Sequence, residues 1–82
     1  HPHVLQPIER YGAGVIAYSL GNLLFDSHRP ATRRGGILRL TLAPGGCLDA
    51  ARFEPTQLRW RPYLHVRPGA ARDRRVIVRD GC

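Results

Sequence analysis

The sequence predicts a mainly β fold built from two antiparallel hairpins and the loops between them. Three observations carry this. Residues 15–20, Val-Ile-Ala-Tyr-Ser-Leu, form a nearly unbroken apolar run. Residues 36–42, Gly-Ile-Leu-Arg-Leu-Thr-Leu, alternate in polarity with a period of two. Gly-rich turns, Gly12-Ala13-Gly14 and Ala43-Pro44-Gly45-Gly46, precede one strand candidate and follow the other.

Residues 4–11, Val-Leu-Gln-Pro-Ile-Glu-Arg-Tyr, are short, apolar and β-leaning. Pro7 has no N–H to give a ladder, so it marks an edge position or a strand that begins after it. The glycines at 12 and 14 suit a tight connection, because glycine takes positive φ without penalty. The run at 15–20 has the composition of a strand buried on both faces. Together these stretches predict a hairpin across 4–20, ended by Gly21-Asn22. Residues 26–35 are polar and contain Pro30, which predicts an exposed loop. In 36–42, Leu38, Leu40 and Leu42 face one way and Ile37, Arg39 and Thr41 the other, the pattern of a half-buried strand. It pairs with 47–54 in a second hairpin, closed by Pro55. Leu58 and Trp60 alternate with Arg59 and Arg61, predicting a third short strand with one apolar and one basic face. Pro62 and Pro68 break the stretch beyond it, and residues 70–80 read as a short strand or one frayed helical turn, with a weak helix or disorder the favoured reading. The organisation expected is therefore a folded part over 1–62 and a weakly ordered, Arg-rich tail over 63–82.

Eighty-two residues are enough for one small domain or part of a larger one. A chain of this length buries only about 60–65% of the surface its unfolded form exposes, so its own core is marginal. It begins with His and contains no Met, which leads us to expect a piece of a longer chain. The net charge is +7 and every basic residue is Arg. Such a charge attracts polyanions in general. The arginines are spread along the chain, with Arg72, Arg74 and Arg75 the nearest to a cluster, so a solvated basic surface is the simpler reading. No aromatic pattern typical of RNA-binding modules interleaves with them. Cys47 and Cys82 fit no Cys-x-x-Cys or Cys/His metal spacing, and little in the residue pattern leads one to expect a disulfide between them. No apolar run approaches the roughly 18–20 residues that a membrane-spanning helix needs, and no signal-peptide pattern is present.

Candidate chemistry lies at the start of the chain. His1 and His3 flank Pro2, which stiffens the backbone between them. Neutral imidazole is the commonest protein metal ligand, although His-x-His by itself is a weak pattern. Asp26 reads as a loop or cap residue, His28 as solvated, and His65 as structural or exposed. Tyr18 and Trp60 read as core.

The longer pattern is more specific. His1-Pro2-His3-Val4-Leu5-Gln6-Pro7-Ile8-Glu9, a tyrosine, a Gly turn, and then Tyr18-Ser19-Leu20-Gly21-Asn22-Leu23-Leu24-Phe25-Asp26 resembles the CapA family of capsule and poly-γ-glutamate biosynthesis proteins, which is related in fold to the calcineurin-like metallophosphoesterases. The family pattern is approximately Gly-His-x-Pro-His-Val-x-Gln-x-Ile-Glu-x-Tyr, a turn, and Tyr-Ser-Leu-Gly-Asn-Phe-x-Phe. His3 falls on its last histidine and His1 on a variable position. Leu23 stands where Phe is usual, at a position expected in the core. The resemblance continues more loosely through Thr32-Arg33, the strand at 36–42 and Phe53-Glu54-Pro55, covering about residues 1–62.

The resemblance implies an α/β parent fold, a four-layer αββα sandwich of two sheets with helices outside, of which this stretch is the mainly β part. It implies divalent metal ions held at strand ends, with His3 the best ligand candidate and His1 a weaker one. Asn22 would either orient a ligand, contact substrate, or simply terminate its strand. Two metals together would activate water and steady a leaving oxygen in phosphoester hydrolysis, an activity the resemblance leaves open for the parent. The chain alone lacks the Asp-x-His, Gly-Asp and Gly-Asn-His segments that supply the other ligands, so it should be inert by itself. The implied partners are an anionic polymer or its synthesis machinery and a membrane-associated complex, in the cell envelope. Nucleic acid is not expected. A different class, a small basic module that docks on nucleic acid or another polyanion by charge, is the alternative. A truncated gene product with no function of its own is the third reading.

Overall fold

A computed structural model describes residues 1–26 and 28–82. Among the described residues six strands are present: β1 (Ile8–Tyr11), β2 (Gly14–Ala17), β3 (Arg34–Leu42), β4 (Leu48–Arg59), β5 (His65–Pro68) and β6 (Arg75–Val78). Two 3-10 turns, Pro30–Arg33 and Ala71–Asp73, are the helical elements among the described residues. The mainly β expectation for this stretch therefore holds.

The first hairpin pairs β1 with β2 around Gly12, which takes φ 58°. A bridge between Leu5 and Leu20 extends it. The residues of β2 are half-buried on both faces rather than fully enclosed. Tyr18 is not core. It is 54% exposed, and its hydroxyl donates to Glu9 Oε1 across the hairpin at 2.8 Å. A phenol keeps its polar end wet or bonded, and here it does so at the surface of the hairpin.

The second sheet has four strands, with β4 at its centre. β3 pairs antiparallel along nearly all of β4, from Arg34 opposite Gln57 to Leu42 opposite Leu48. On the other side of β4, β6 lies against residues 51–53 and β5 against residues 56–59. Pro55 does not close the hairpin, contrary to the expectation above. β4 runs through it, and of the expected third strand at 58–61 only Leu58 and Arg59 are strand, as the end of the second, while Trp60 and Arg61 lie beyond it. Proline removes one ladder donor, and here that loss falls at the seam where one flanking partner ends and the next begins. The Pro55 carbonyl still accepts from Gly69 N–H at 2.9 Å.

The seam also changes which face of β4 is covered. Ala51, Phe53 and Pro55 are buried on one side, and Val78 of β6, opposite Ala51, joins them. Thr56 and Leu58, of opposite parity, are buried on the other. Period-two alternation puts these sets on opposite faces, so the small core comes in two halves. The leucine face of β3 is only partly covered: Leu38 is half-buried, while Leu40 and Leu42 are about half exposed or more.

The stretch 70–80 takes the short-strand alternative rather than the favoured weak helix or disorder. After one 3-10 turn it forms β6, because Val76, Ile77 and Val78 are β-branched and central β4 has a free edge there. The chain end is fixed by Gly81 N–H donating to Asp49 O at 2.8 Å and by a Cys47–Cys82 disulfide. Residue spacing alone did not point to that bond. The pairing of β6 on β4 creates it, bringing positions 35 apart to a Cα–Cα distance of 6.1 Å, within the range a disulfide spans. No helix among the described residues is long and apolar enough to cross a membrane.

Candidate functional site

The first hairpin meets the larger sheet at two glycines. Gly21 and Gly35 form an antiparallel bridge, and Gly36 N–H donates to Leu20 O at 2.9 Å. A Cβ on Gly35 would collide with the Asn22 carbonyl, and one on Gly21 would lie 2.5 Å from Arg34 O. Gly21 also takes φ 71°, a conformation that L side chains rarely adopt. The Gly21-Asn22 pair thus does more than end a strand. It lets the backbone approach β3 closely and buries Asn22, which is 9% exposed.

Asn22 organises the site. Its Nδ2 donates to the Thr32 carbonyl at 3.1 Å, and its Oδ1 lies 2.9 Å from His3 Nδ1. The Thr32 carbonyl can only accept, so the amide nitrogen must face it and the amide oxygen must face His3. A carboxamide oxygen cannot donate. Nδ1 of His3 therefore carries the proton, and in the neutral ring the lone pair lies on Nε2. Thr32 is itself held, its hydroxyl donating to Arg29 O at 2.7 Å. The relay Thr32–Asn22–His3 sets both the orientation and the tautomer of one imidazole, as the outer partners of metal-binding histidines do.

His3 is constrained in two further ways. Its backbone takes φ 55°, uncommon for a residue with a side chain. Its ring stacks on Phe25 at a centroid distance of 5.5 Å and 28° between planes. His1 stacks on the other histidine at 6.3 Å and 25°. The three residues singled out in the sequence, His1, His3 and Asn22, thus lie together. Thr32 and Phe25 complete the arrangement. Thr32 was visible only as part of a Thr-Arg pair, and its contribution through a backbone carbonyl leaves no trace in residue type. Phe25 was visible only as one of an apolar run.

That run does not pack as expected. Leu23, Leu24 and Phe25 are 52%, 59% and 50% exposed. With φ positive at Gly21 the chain turns towards β3, and the leucines are left outside the sheet. His28 is exposed as expected, but its ring lies flat on Trp60 at 4.6 Å and 6°. Trp60 is half-buried rather than core. His65 Nδ1 lies 2.6 Å from Tyr63 O, a local structural contact.

Among the described residues no three His, Cys, Asp or Glu side chains gather closely enough to hold a metal ion. What the site holds is one oriented imidazole beside a second.

The fold and site define a mainly β segment that orients one histidine beside its first hairpin. Sequence comparison says of which family. Residues 1–27 match the model of the bacterial capsule synthesis protein PGA_cap. The chain is 45% identical over 58 residues to the PGA biosynthesis protein CapA of Bacillus subtilis (strain 168), covering 71% of this chain and 14% of that protein. It is 41% identical over 46 residues to the capsule biosynthesis protein CapA of Bacillus anthracis, covering 56% of this chain and 11% of that protein. The chain belongs to the CapA family. It spans about one seventh of the length of the first of these relatives and about one ninth of the second. No solved structure matches it.

Proposed function

We propose that this chain serves in the biosynthesis of capsule or poly-γ-glutamate, and that its N-terminal edge contributes His3 as one ligand of a divalent metal. The observation that carries the second part is the relay Thr32–Asn22–His3, which leaves Nε2 as the lone-pair nitrogen. The first part rests on the names carried by the two relatives. Asn22 is the positioning residue and His1 the auxiliary imidazole. In this reading His3 is one ligand of a shared site, since the described residues gather no group of three His, Cys, Asp or Glu. A bound metal would supply Lewis acidity and an activated water for phosphoester hydrolysis; this chain's part is to hold one imidazole in place.

The disulfide favours the cell envelope. Such bonds persist in oxidising compartments and are rare in the reducing cytosol, and Cys47–Cys82 ties the turn before β4 to the segment after β6.

The test uses the whole protein that carries this chain. Metal content is measured by elemental analysis in wild type, His3→Ala and Asn22→Ala, beside a generic phosphodiester assay. The expected result is metal lost in His3→Ala and bound about 10–100-fold more weakly in Asn22→Ala. Undiminished metal in His3→Ala would sink the ligand assignment. Wild-type capsule on cells carrying only that variant would remove the site from capsule synthesis.

A further inference from the structure

We propose that the open face of the four-stranded sheet, where Arg39 and Arg52 stand side by side, is a docking surface for a polycarboxylate chain. Its chemistry deepens the capsule-polymer reading above and rests on it.

Charge is the first observation. The chain has thirteen arginines against six acidic residues. Among the described residues the ion pair present is Arg74 Nε to Glu54 Oε2, at 3.4 Å. Arg39 and Arg52 are directly opposite on β3 and β4. Like charges in that position repel, and no carboxylate among the described residues pairs with either to offset the repulsion. An anion from outside would.

Shape is the second. Two adjoining clefts share Glu54 and Arg74. The larger, about 420 Å³, is lined by Arg39 and Arg67 with Ile37 and Val66. The smaller, about 210 Å³, is lined by Arg52 and Arg75. Ile37 is 44% exposed, so apolar surface accompanies the guanidinium groups. Charged groups interleaved with aliphatic surface match a polymer whose carboxylates are separated by methylenes. Guanidinium suits carboxylate because its planar fork donates two parallel hydrogen bonds.

The same face is poorly made for single-stranded nucleic acid, which binds by stacking bases on aromatic rings. The aromatic side chain in these clefts is Phe53, buried to 5% exposure and already covered by the Arg75 guanidinium at 5.7 Å. Trp60 lies elsewhere, against His28.

The experiment measures binding of fluorescently labelled poly-γ-glutamate to the 82-residue chain by anisotropy across a salt series, with oligo-dT of equal charge as comparator. Arg39→Gln/Arg52→Gln is compared with Arg10→Gln/Arg79→Gln, which removes the same charge from exposed positions outside the clefts. Circular dichroism confirms that each pair stays folded. We expect the cleft pair to weaken polymer binding at least tenfold and the control pair less than threefold. Arg39→Lys/Arg52→Lys should fall between, since charge is kept and the fork lost. Equal weakening by the two Gln pairs, or no polymer binding by wild type, would overturn the docking surface while leaving the His3 metal test standing. Oligo-dT bound as tightly as polymer would overturn the polycarboxylate assignment and count against the capsule reading as well.

Discussion

The disulfide offers the sharpest test of how this small chain stays folded. Replacing both cysteines, Cys47→Ser with Cys82→Ser, removes the cross-link without leaving a lone thiol. The bond joins residues 35 apart. In the chain-entropy description, closing a loop of that length removes about 13 cal/mol/K from the unfolded ensemble, or about 4 kcal/mol at 25 °C. A domain of this size has a total stability of roughly 4–12 kcal/mol, so the bond accounts for between a third and all of it. The folded tail has other ties, Gly81 N–H to Asp49 O and Cys82 N–H to Asp49 Oδ1 at 3.2 Å. The variant should therefore keep its native geometry and lose stability mainly through the freed unfolded chain. Urea unfolding followed by Trp60 fluorescence and far-UV circular dichroism measures the difference. Dithiothreitol should destabilise wild type by the same amount and leave the double variant unchanged. Coincident midpoints for oxidised and reduced wild type would refute the reasoning. So would an intact mass showing that both thiols stay reduced under oxidising conditions.

Three more outcomes turn on single side chains. Gly35→Ala places a Cβ against the Asn22 carbonyl and 3.1 Å from Thr56 Oγ1; we expect a loss of about 1–3 kcal/mol in thermal melts and an altered ¹⁵N shift pattern at His3. Thr56→Val removes a buried hydroxyl that has no hydrogen-bond partner among the described residues, so stability should rise by roughly 1 kcal/mol, and a comparable fall would show that the hydroxyl is bonded after all. The Tyr18 hydroxyl donates to Glu9, which holds its pKa above the usual 10.0, with burial and the nearby negative charge adding to the same direction. A raised folded value means that this contact supports the fold at neutral pH and is lost as pH rises through it. Glu9→Gln should bring that tyrosine's ultraviolet titration midpoint back towards 10.0, and an unmoved midpoint would contradict the pairing.

Much of the fold was legible because the sequence alternates where strands are half-covered. The β3–β4 hairpin follows from Leu38, Leu40 and Leu42 and from the Gly45-Gly46 turn. What misled was local chemistry overridden by partners distant in the chain. Pro55 looks terminal from its neighbours, yet it sits in mid-strand because the partner on one edge of β4 changes from β6 to β5 there. Residues 75–78 look weak alone, since so short a strand seldom holds without a sheet to join. Arg79 and Asp80 obscure a segment that β4 nonetheless recruits. The disulfide was hidden for the same reason, because its two ends meet only through that recruitment.

The site shows the opposite balance. His3 and Asn22 were visible as residue types, but their relation was not, because nineteen positions separate them and the link depends on a backbone carbonyl. Gly35 is the piece that joins fold to site. It is in β3, an edge strand of the larger sheet, and its missing side chain is what allows Asn22 to reach both Thr32 and His3. The positive φ of His3 belongs to the same construction. A side chain in that region costs on the order of 1–3 kcal/mol. The Asn22 bond and the Phe25 stack hold it there. If that conformation exists to present Nε2, then His3→Asn, which tolerates the backbone but lacks the ring, should fold as well as wild type and still fail to bind metal in the whole protein. His3→Gly should fold at least as well and fail in the same way. A His3→Asn protein that kept its metal would mean that the strained histidine serves the fold rather than a ligand.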